Sequence, residues 1–338
     1  MIKKSASKAK QNFWQKLKKP IFVIAPMANV TDVAFRAMFA KYGKPDVMWT
    51  EFVSADGLCS AGRKMLLHDL KFSKKEKPIV AQLFSANPIK MREACSIVSK
   101  LGFDGIDINM GCPDRSVEKQ GAGASMMKNP ALAKEVLEAA RIGAPSLPIS
   151  IKTRIGYNKV DLEWIEFLLE QKLPALTVHL RTRKEMSDVP AHWDLMKKIV
   201  EIRDRISPDT ILIGNGDVMS LMDAKIKVKE SGCDGAMIGR GIFGNPWFFK
   251  GKMPMDFTPA QRLKVMLEHA KAFEKYLGSV KNFANMKKHF KAYVSGWDGA
   301  KELRVKLMES DELKEVEGII KDSSKMLQYP HVKKINGK

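Results

Sequence analysis

The 338-residue sequence predicts an α/β protein, a (β/α)8 TIM barrel followed by a helical C-terminal domain. Three observations support this fold. Eight short apolar runs rich in β-branched residues alternate with amphipathic helical patterns between residues 21 and 250. Several of those helical patterns end in Gly, as helix C-caps do. From Thr258 onward the pattern is helical throughout.

The strand candidates are spaced as a barrel requires. They are residues 21–27, 47–52, 78–84, 105–111, 148–156, 175–182, 210–216 and 235–241. Eight strands alternating with helices match the (β/α)8 barrel, which typically takes about 250 residues. A doubly wound sheet is the alternative, but its first strand should lead into a G-x-G-x-x-G loop. The first strand here ends in APMANVTD, so the barrel is favoured.

The net charge of +20 is concentrated at the two ends of the chain. Residues 1–20 hold seven Lys and no acid, and residues 250–338 hold 19 Lys and Arg against 11 acids. We interpret residues 1–20 as a mobile basic arm with a short helix around residues 13–17. Such charge favours a polyanionic partner, nucleic acid first. Plain solubility or an anionic membrane surface are the alternatives that charge alone leaves open.

Composition limits the class of protein further. No apolar run is long enough to span a bilayer. The four cysteines show neither a C-x-x-C pair nor metal-ligand spacing with histidines; they are Cys59, Cys95, Cys112 and Cys233. We therefore expect free thiols in a cytoplasmic protein, with no metal and no membrane segment.

The ends of the last two predicted strands indicate a phosphate site. IGNGD (213–217) and IGRGIFGNP (238–246) place glycines where barrels frequently bind phosphate through backbone N–H groups. Arg240 can neutralise such a group. Tight turns that need positive φ are the structural alternative, and two adjacent glycine-rich ends favour the phosphate.

Two further strand ends carry residues that apolar packing does not explain. Cys112 stands between Gly111 and Pro113 on a bend, where a thiol packs poorly but can act as an acid. Lys152 lies inside the apolar run PISIKTRIG, where an unpaired charge is costly. A salt bridge with Asp107 or Glu51 is the structural alternative for this lysine, and a ligand site is the functional one. His179 and Arg181 have no second histidine at ligand spacing, so a metal site is not expected.

These motifs together resemble the tRNA-dihydrouridine synthases. The resemblance spans residues 21–249 and continues into the basic tail, where KHFKAYVSGWDGAKELR resembles the helical RNA-binding domain of that family. Its most specific part is NMGCP followed by GAGA. The motifs that carry it are APMANVTD (25–32), TEFVSADGL (50–58), QLF (82–84), NMGCP (109–113), GAGASMM (121–127), IKTRIG (151–156), HLRTR (179–183), GNGD (214–217) and DGAMIGRGIFGNPW (234–247).

The resemblance implies an FMN-dependent reductase that acts on uridine in tRNA and takes electrons from NADPH. It implies a catalytic FMN-binding barrel over residues 21–250 and a tRNA-binding helical domain over residues 258–338. Cys112 is the implied proton donor, and Asn109 and Arg181 the implied substrate contacts. The implied cofactor-binding residues are Pro26, Met27, Ala28, Gln82, Lys152, His179, Asn215, Gly216, Asp217, Gly239 and Arg240.

One segment departs from the family pattern. After HLRTR the commoner family sequence continues with an aromatic residue and glycines, whereas this chain has KEMSDVPAHW (184–193). The target uridine is therefore left open, and a monomer is our expectation. Two alternatives also stay open: a chaperone-like tRNA-binding protein without turnover, and a small-molecule FMN oxidoreductase resembling dihydroorotate dehydrogenase.

Overall fold

The computed structural model describes residues 12–328, and within them eight parallel strands form one sheet in the order β1-β8-β7-β6-β5-β4-β3-β2. A parallel bridge between Val23 and Val47 brings the two outer strands together and closes the sheet. The predicted (β/α)8 barrel is confirmed, with a strand at each predicted position. The strands are β1 Ile21–Ile24, β2 Met48–Ser54, β3 Ile79–Phe84, β4 Gly105–Met110, β5 Ile149–Arg154, β6 Ala175–His179, β7 Ile211–Asn215 and β8 Gly235–Ile238.

Several helices begin directly after a capping residue. Asn87, Asn129 and Asp161 each accept a backbone N–H of the first turn, and a Pro follows two of them at the first helical position. The helices are α1 Val33–Tyr42, α2 Ala55–Leu58, α3 Arg63–Leu66, α4 Pro88–Ser99, α5 Arg115–Glu118, α6 Pro130–Gly143, α7 Leu162–Glu170, α8 Met196–Ile206, α9 Leu221–Ser231, α10 Pro259–Leu277, α11 Lys287–Tyr293, α12 Ala300–Glu309 and α13 Leu313–Gln328.

Alternation along the strands divides the barrel interior from the layer beneath the helices. In β1, Ile21 and Val23 belong to the interior cluster, whereas Phe22 and Ile24 belong to the cluster between sheet and helices. Trp14 joins the interior cluster from below, with its ring 5.7 Å from that of Trp49. The side chain of Trp14 therefore seals the N-terminal end of the barrel.

This arrangement corrects the interpretation of residues 1–20 as a mobile arm. A 3-10 helix occupies Phe13–Lys16, where a short helix was expected, but Trp14 is only 1% exposed. Apolar burial of this size holds the segment from residue 12 onward against the barrel. Residues 1–11 lie outside the described residues.

The helices that follow the barrel have a hydrophobic core of their own. Met266, Phe273, Met286, Phe290 and Tyr293, which the helical periodicity predicts to be core residues, are all buried. This core also includes Val33, Ala34 and Trp247 from the barrel. The C-terminal helices, hereafter the helical domain, are thus packed on α1 by a continuous apolar interface. No helix within residues 12–328 has the length and hydropathy needed to cross a membrane.

Candidate active site

A cavity of about 320 Å³ opens at the carboxyl ends of the strands. This volume lies at the lower end of the ~300–1,000 Å³ range of small-molecule sites. Nine of the eleven predicted cofactor residues line it, although they come from strands far apart in the sequence. These are Pro26, Met27, Lys152, His179, Asn215, Gly216, Asp217, Gly239 and Arg240.

Lys152 is the central charge of this cavity. Within residues 12–328 its ammonium group has no hydrogen-bond or salt-bridge partner. Asp107 instead accepts hydrogen bonds from Gln82 Nε2 (2.7 Å) and Ser150 Oγ (2.6 Å), and Glu51 is paired with Lys281. The salt bridge with Asp107 or Glu51, which is the structural alternative for this lysine, therefore does not form. Burial, with the nearby Arg154, lowers the pKa of Lys152 to about 8. An unpaired, partly buried cation facing a cavity favours an anionic or hydrogen-bond-accepting ligand.

His179 contributes a neutral imidazole. Burial lowers its pKa well below 6.5, and the charge of Lys152 lowers it further. Arg181 Nη1 lies 3.3 Å from His179 Nε2. Because a guanidinium can only donate, Nε2 must be the acceptor in this contact and the ring proton must reside on Nδ1. The imidazole is therefore a fixed hydrogen-bonding group at physiological pH.

Asp217 organises the turn after β7. Its carboxylate accepts from Arg240 Nη2 (2.7 Å), from the Ala191 N–H (2.9 Å) and from Arg181 Nη2. The turn needs unusual backbone angles, with φ of 126° at Gly216 and 47° at Asp217. The Arg240 side chain is 60% exposed, so it can pair with a ligand anion at the cavity mouth.

The backbone at Gly239 leaves space in the cavity beside Ala25 and Met27. A Cβ at this position would meet only Met27 Sδ at 3.7 Å and Ala25 Cβ at 3.8 Å, both on residues that line the cavity. A side chain here would therefore extend into the space that the cavity provides. The site thus combines an apolar wall at Ala25 and Met27 with the polar groups of β5, β6 and β7, which fits a flat heteroaromatic ring carrying an anionic tail.

Cys112 lies beside this cavity on a backbone-held turn. Asn109 Oδ1 accepts the N–H groups of Gly111 (3.1 Å) and Cys112 (2.9 Å), and the Cys112 carbonyl accepts the N–H of Ala124 (2.9 Å). The turn depends on Gly123, whose φ is 61° and whose Cβ would lie 2.7 Å from the Cys112 oxygen. This explains why a glycine-rich segment follows NMGCP.

The Cys112 side chain is partly buried rather than exposed, and it packs against a small apolar cluster that includes Phe84, Val117 and Ala122. Burial raises the pKa of the thiol. The group is therefore protonated at neutral pH. Its neighbour Pro113 lines the cavity directly.

Besides Cys112, three predicted site residues lie away from the cavity lining. Gln82 and Asn109 are buried and form a chain with Asp107, in which Asn109 Nδ2 donates to Gln82 Oε1 at 3.2 Å. Ala28 is exposed on the loop after β1. Arg181 does line the cavity, but its side chain also donates to the Val189 carbonyl at 2.6 Å.

Arg154 is a site residue that the motif analysis did not assign. It is buried, and it donates to the carbonyl of Gly111 (3.0 Å) and to the carbonyls of Thr182 and Met186 (2.9 Å each). It therefore ties the turn of Cys112 to the loop after β6. That loop includes Met186 and Ser187, which border the cavity. Its position two residues after Lys152, on the same face of β5, was the available signal.

Comparison with known proteins identifies the relatives of this chain. The family model described as "Dihydrouridine synthase (Dus)" matches residues 23–328. A probable tRNA-dihydrouridine synthase of Staphylococcus aureus (strain COL) is 40% identical over 315 residues, which cover 92% of this chain and 95% of that protein. Probable tRNA-dihydrouridine synthase 2 of Bacillus subtilis (strain 168) is 39% identical over 316 residues, with coverage of 92% and 96%.

Solved structures with the same fold are more distant in sequence. Histamine dehydrogenase from Rhizobium sp. 4-9 aligns with a TM-score of 0.50 and 13% identity over 74% of this chain and 48% of that one. 6-Hydroxypseudooxynicotine amine oxidase from Pseudomonas geniculata N1 aligns with a TM-score of 0.51 and 12% identity, over 77% and 53%. This chain thus spans about half the length of these structures, and at such identity the likeness concerns the fold alone.

Proposed function

The chain belongs to the dihydrouridine synthase family of oxidoreductases, and from that premise we propose that it reduces the 5,6 double bond of uridine in tRNA, with bound FMN as cofactor and NADPH as electron donor. One observation carries this proposal: the Lys152 ammonium, which has no partner within residues 12–328, and an apolar wall lie in the same cavity, next to the turn of Cys112.

The residues of the cavity suit FMN. The side chain of Met27 and the open face of Gly239 provide a flat apolar surface for an isoalloxazine ring. Lys152 and the neutral His179 offer hydrogen bonds to the polar edge of that ring. Arg240 and the turn at Asp217 provide the charge and backbone groups for the phosphate. Gln82 and Ala28 remain proposed cofactor residues, acting through Asp107 and through the loop after β1.

Reduction of uracil requires a hydride at C6 and a proton at C5. Reduced FMN supplies the hydride when it is bound. The protein must hold the uracil ring, exclude water and supply the proton. Cys112 is suited to the last task, because its thiol stays protonated at neutral pH yet loses a proton far more readily than an alcohol. The backbone of the turn fixes its position through Asn109 Oδ1.

Asn109 and Arg181 are the proposed substrate contacts of the family resemblance, and their surroundings give each a more specific task. The side-chain oxygen of Asn109 accepts the N–H groups of the Cys112 turn. We therefore assign Asn109 two tasks, contact with the uracil and positioning of the acid. Arg181 holds the loop of Met186 and Ser187 through Asp217 and Val189. That loop carries the sequence that departs from the family pattern, and we assign to it the choice of target uridine.

The helical domain and its basic surface are proposed to bind the tRNA. Lys264, Lys271, Lys275 and Lys291 lie exposed on α10 and α11, and charges of this kind suit a phosphate backbone recognised by shape. Binding should therefore weaken steeply as salt concentration rises, since counterions are released on association.

One preparation of the full-length protein tests the proposal against both alternatives. Purified protein should absorb as a flavoprotein, release FMN on denaturation, and form dihydrouridine in unmodified tRNA transcript when NADPH is supplied. A protein that binds tRNA but yields no dihydrouridine after reconstitution with FMN would be the chaperone-like alternative. A protein that oxidises NADPH with a small-molecule acceptor but forms no dihydrouridine in tRNA would be a small-molecule oxidoreductase.

A further inference from the structure

The loop that joins β1 to α1 forms one wall of the cavity. Pro26 and Met27 line it. The loop is closed on itself, because the Met27 carbonyl accepts the N–H groups of Val30 (3.1 Å) and Thr31 (3.0 Å), and Thr31 Oγ1 accepts the Met27 N–H (2.9 Å). Asn29, at the tip, is in the left-handed region with φ of 56°. This conformation is uncommon outside glycine and needs support from neighbouring groups.

That support comes from the helical domain. Lys288 Nζ donates to the Asn29 carbonyl at 2.7 Å. The N–H of Asn29 donates to Glu51 Oε1. Glu51 is in turn held by Lys281 of the helical domain, whose Nζ lies 2.9 Å from Glu51 Oε2. Lys281 also pairs with Asp69 at 2.7 Å. Two lysines more than 230 residues away in sequence therefore hold both backbone groups of the loop tip.

The burial of these groups distinguishes them from the other basic residues of the helical domain. The side chains of Lys281 and Glu51 are 15% and 5% exposed. Lys288 is partly buried, and burial lowers its pKa. A solvent-facing lysine can pair with RNA phosphate, but these two lysines face the barrel and are already engaged. Breaking the buried Lys281–Glu51 pair leaves an uncompensated charge, so this pair constrains the loop far more than an exposed pair would.

We propose that Lys281 and Lys288 are positioning residues for the cofactor site, so that the helical domain holds the loop of Pro26 and Met27 in its binding conformation as well as binding RNA. This inference rests on the proposed function, because it takes the cavity to be an FMN site. Coupling of this kind is reciprocal. Cofactor binding should therefore also stabilise the docking of the helical domain.

The test is a titration of cofactor-free, full-length protein with FMN, followed by flavin fluorescence. Lys288→Met and Lys281→Met should each raise the Kd for FMN roughly tenfold, which corresponds to about 1.4 kcal/mol. Lys288→Arg should recover part of the affinity, because a guanidinium can still reach a carbonyl. The matched control is Lys41→Met, which removes an ion pair between barrel and helical domain, to Glu268 at 2.6 Å, that does not touch the loop.

The control separates positioning from plain stability. Thermal unfolding is measured on every variant, and a merely structural role would lower the melting temperature without changing the Kd for FMN. If Lys281→Met does not fold, the double variant Lys281→Met/Glu51→Gln neutralises the more deeply buried of the two carboxylates that lose their partner, and Gln can still accept the Asn29 N–H. Equal Kd values for the Lys288, Lys281 and Lys41 variants would overturn the inference and leave the proposed function standing. Failure of the wild-type protein to bind FMN would overturn both.

Discussion

Replacement of Cys112 by Ala separates the chemical step from binding. The turn around Cys112 is held by N–H groups that donate to the Asn109 side chain and by a carbonyl that accepts the Ala124 N–H, and none of these bonds uses the thiol. We therefore expect Cys112→Ala to fold, to retain FMN and to bind tRNA. Loss of one partly buried sulfur should cost on the order of 1 kcal/mol of stability, as deletion of a small apolar group does.

The expected effect on the rate is much larger. The thiol is the proposed acid, and an ordinary thiol with a pKa of ~8.5 is already about 97% protonated at pH 7. Burial raises the pKa of Cys112 above its ordinary value, so the acid form is fully available. Loss of a positioned general acid typically slows a reaction by 10²–10⁴-fold, which is about 2.7–5.4 kcal/mol of barrier. Cys112→Ser should be nearly as slow, because a hydroxyl releases its proton far less readily.

The assay is a single turnover. Enzyme reduced beforehand with NADPH is mixed anaerobically with excess tRNA transcript, and reoxidation of the flavin is followed by absorbance. Affinity for tRNA is measured on the same preparations. Cys59→Ala is the matched control, since that thiol is also partly buried but does not line the cavity and instead donates to the Lys90 carbonyl at 3.5 Å. Reoxidation of Cys112→Ala at the wild-type rate would refute the assignment, and weakened tRNA binding with an unchanged rate would make Cys112 a binding residue instead.

Three other perturbations test the electrostatics of the structure. Because the pKa of Lys152 is lowered to about 8, its ammonium charge is lost as pH rises through 8. The affinity for FMN should therefore fall above that pH. Equilibrium titration of Lys152→Met with FMN should show no such fall. Arg240→Ala should weaken FMN binding by roughly tenfold or less, because the side chain is 60% exposed and its interactions are screened. An unchanged Kd for FMN at low salt would show that Arg240 does not bind the phosphate. His269 and His289 are buried side by side at the domain interface with lowered pKa values, to about 3 for His269, so the unfolded chain binds more protons between pH 6.5 and 3. The free energy of unfolding should therefore fall as pH drops below 6.5, by about 1.4 kcal/mol per pH unit for each histidine. Denaturant unfolding measured at a series of pH values should show that the free energy of a His269→Phe variant depends less steeply on pH.

Local patterns were sufficient to predict most of the fold. Apolar runs bounded by turn residues predicted all eight strands, because each run is buried on both faces of a parallel sheet. The core of the helical domain followed from its helical periodicity. The packing of Trp14 was not predicted. An isolated aromatic residue among lysines carries no local signal that a barrel end lies nearby to receive it.

The candidate site was predictable where glycines and charged residues stand at strand ends, as at Lys152, Asp217 and Arg240. It was less predictable where the partner of a side chain comes from another strand. Gln82 and Asn109 were treated as ligand contacts, but each has its hydrogen bonds partly taken up by β4 and the Cys112 turn. The pairing of Glu51 with Lys281 joins residues 230 positions apart, and no spacing rule reaches that far.

The order in which the chain is synthesised gives the packing of its two ends a further consequence. Strand β1 pairs along its length with β8, and Val33 and Ala34 of α1 belong to an apolar cluster that is formed mainly by the helices after Pro259. During translation the packing of β1 and α1 is therefore completed only after later elements have been synthesised. Until β8 is made, β1 leaves an open sheet edge, and until the helical domain is made, α1 has an uncovered apolar face. A premature stop near residue 250 would thus release a chain that has all eight strands but lacks most of the apolar cover of α1, and such a chain would be prone to aggregate.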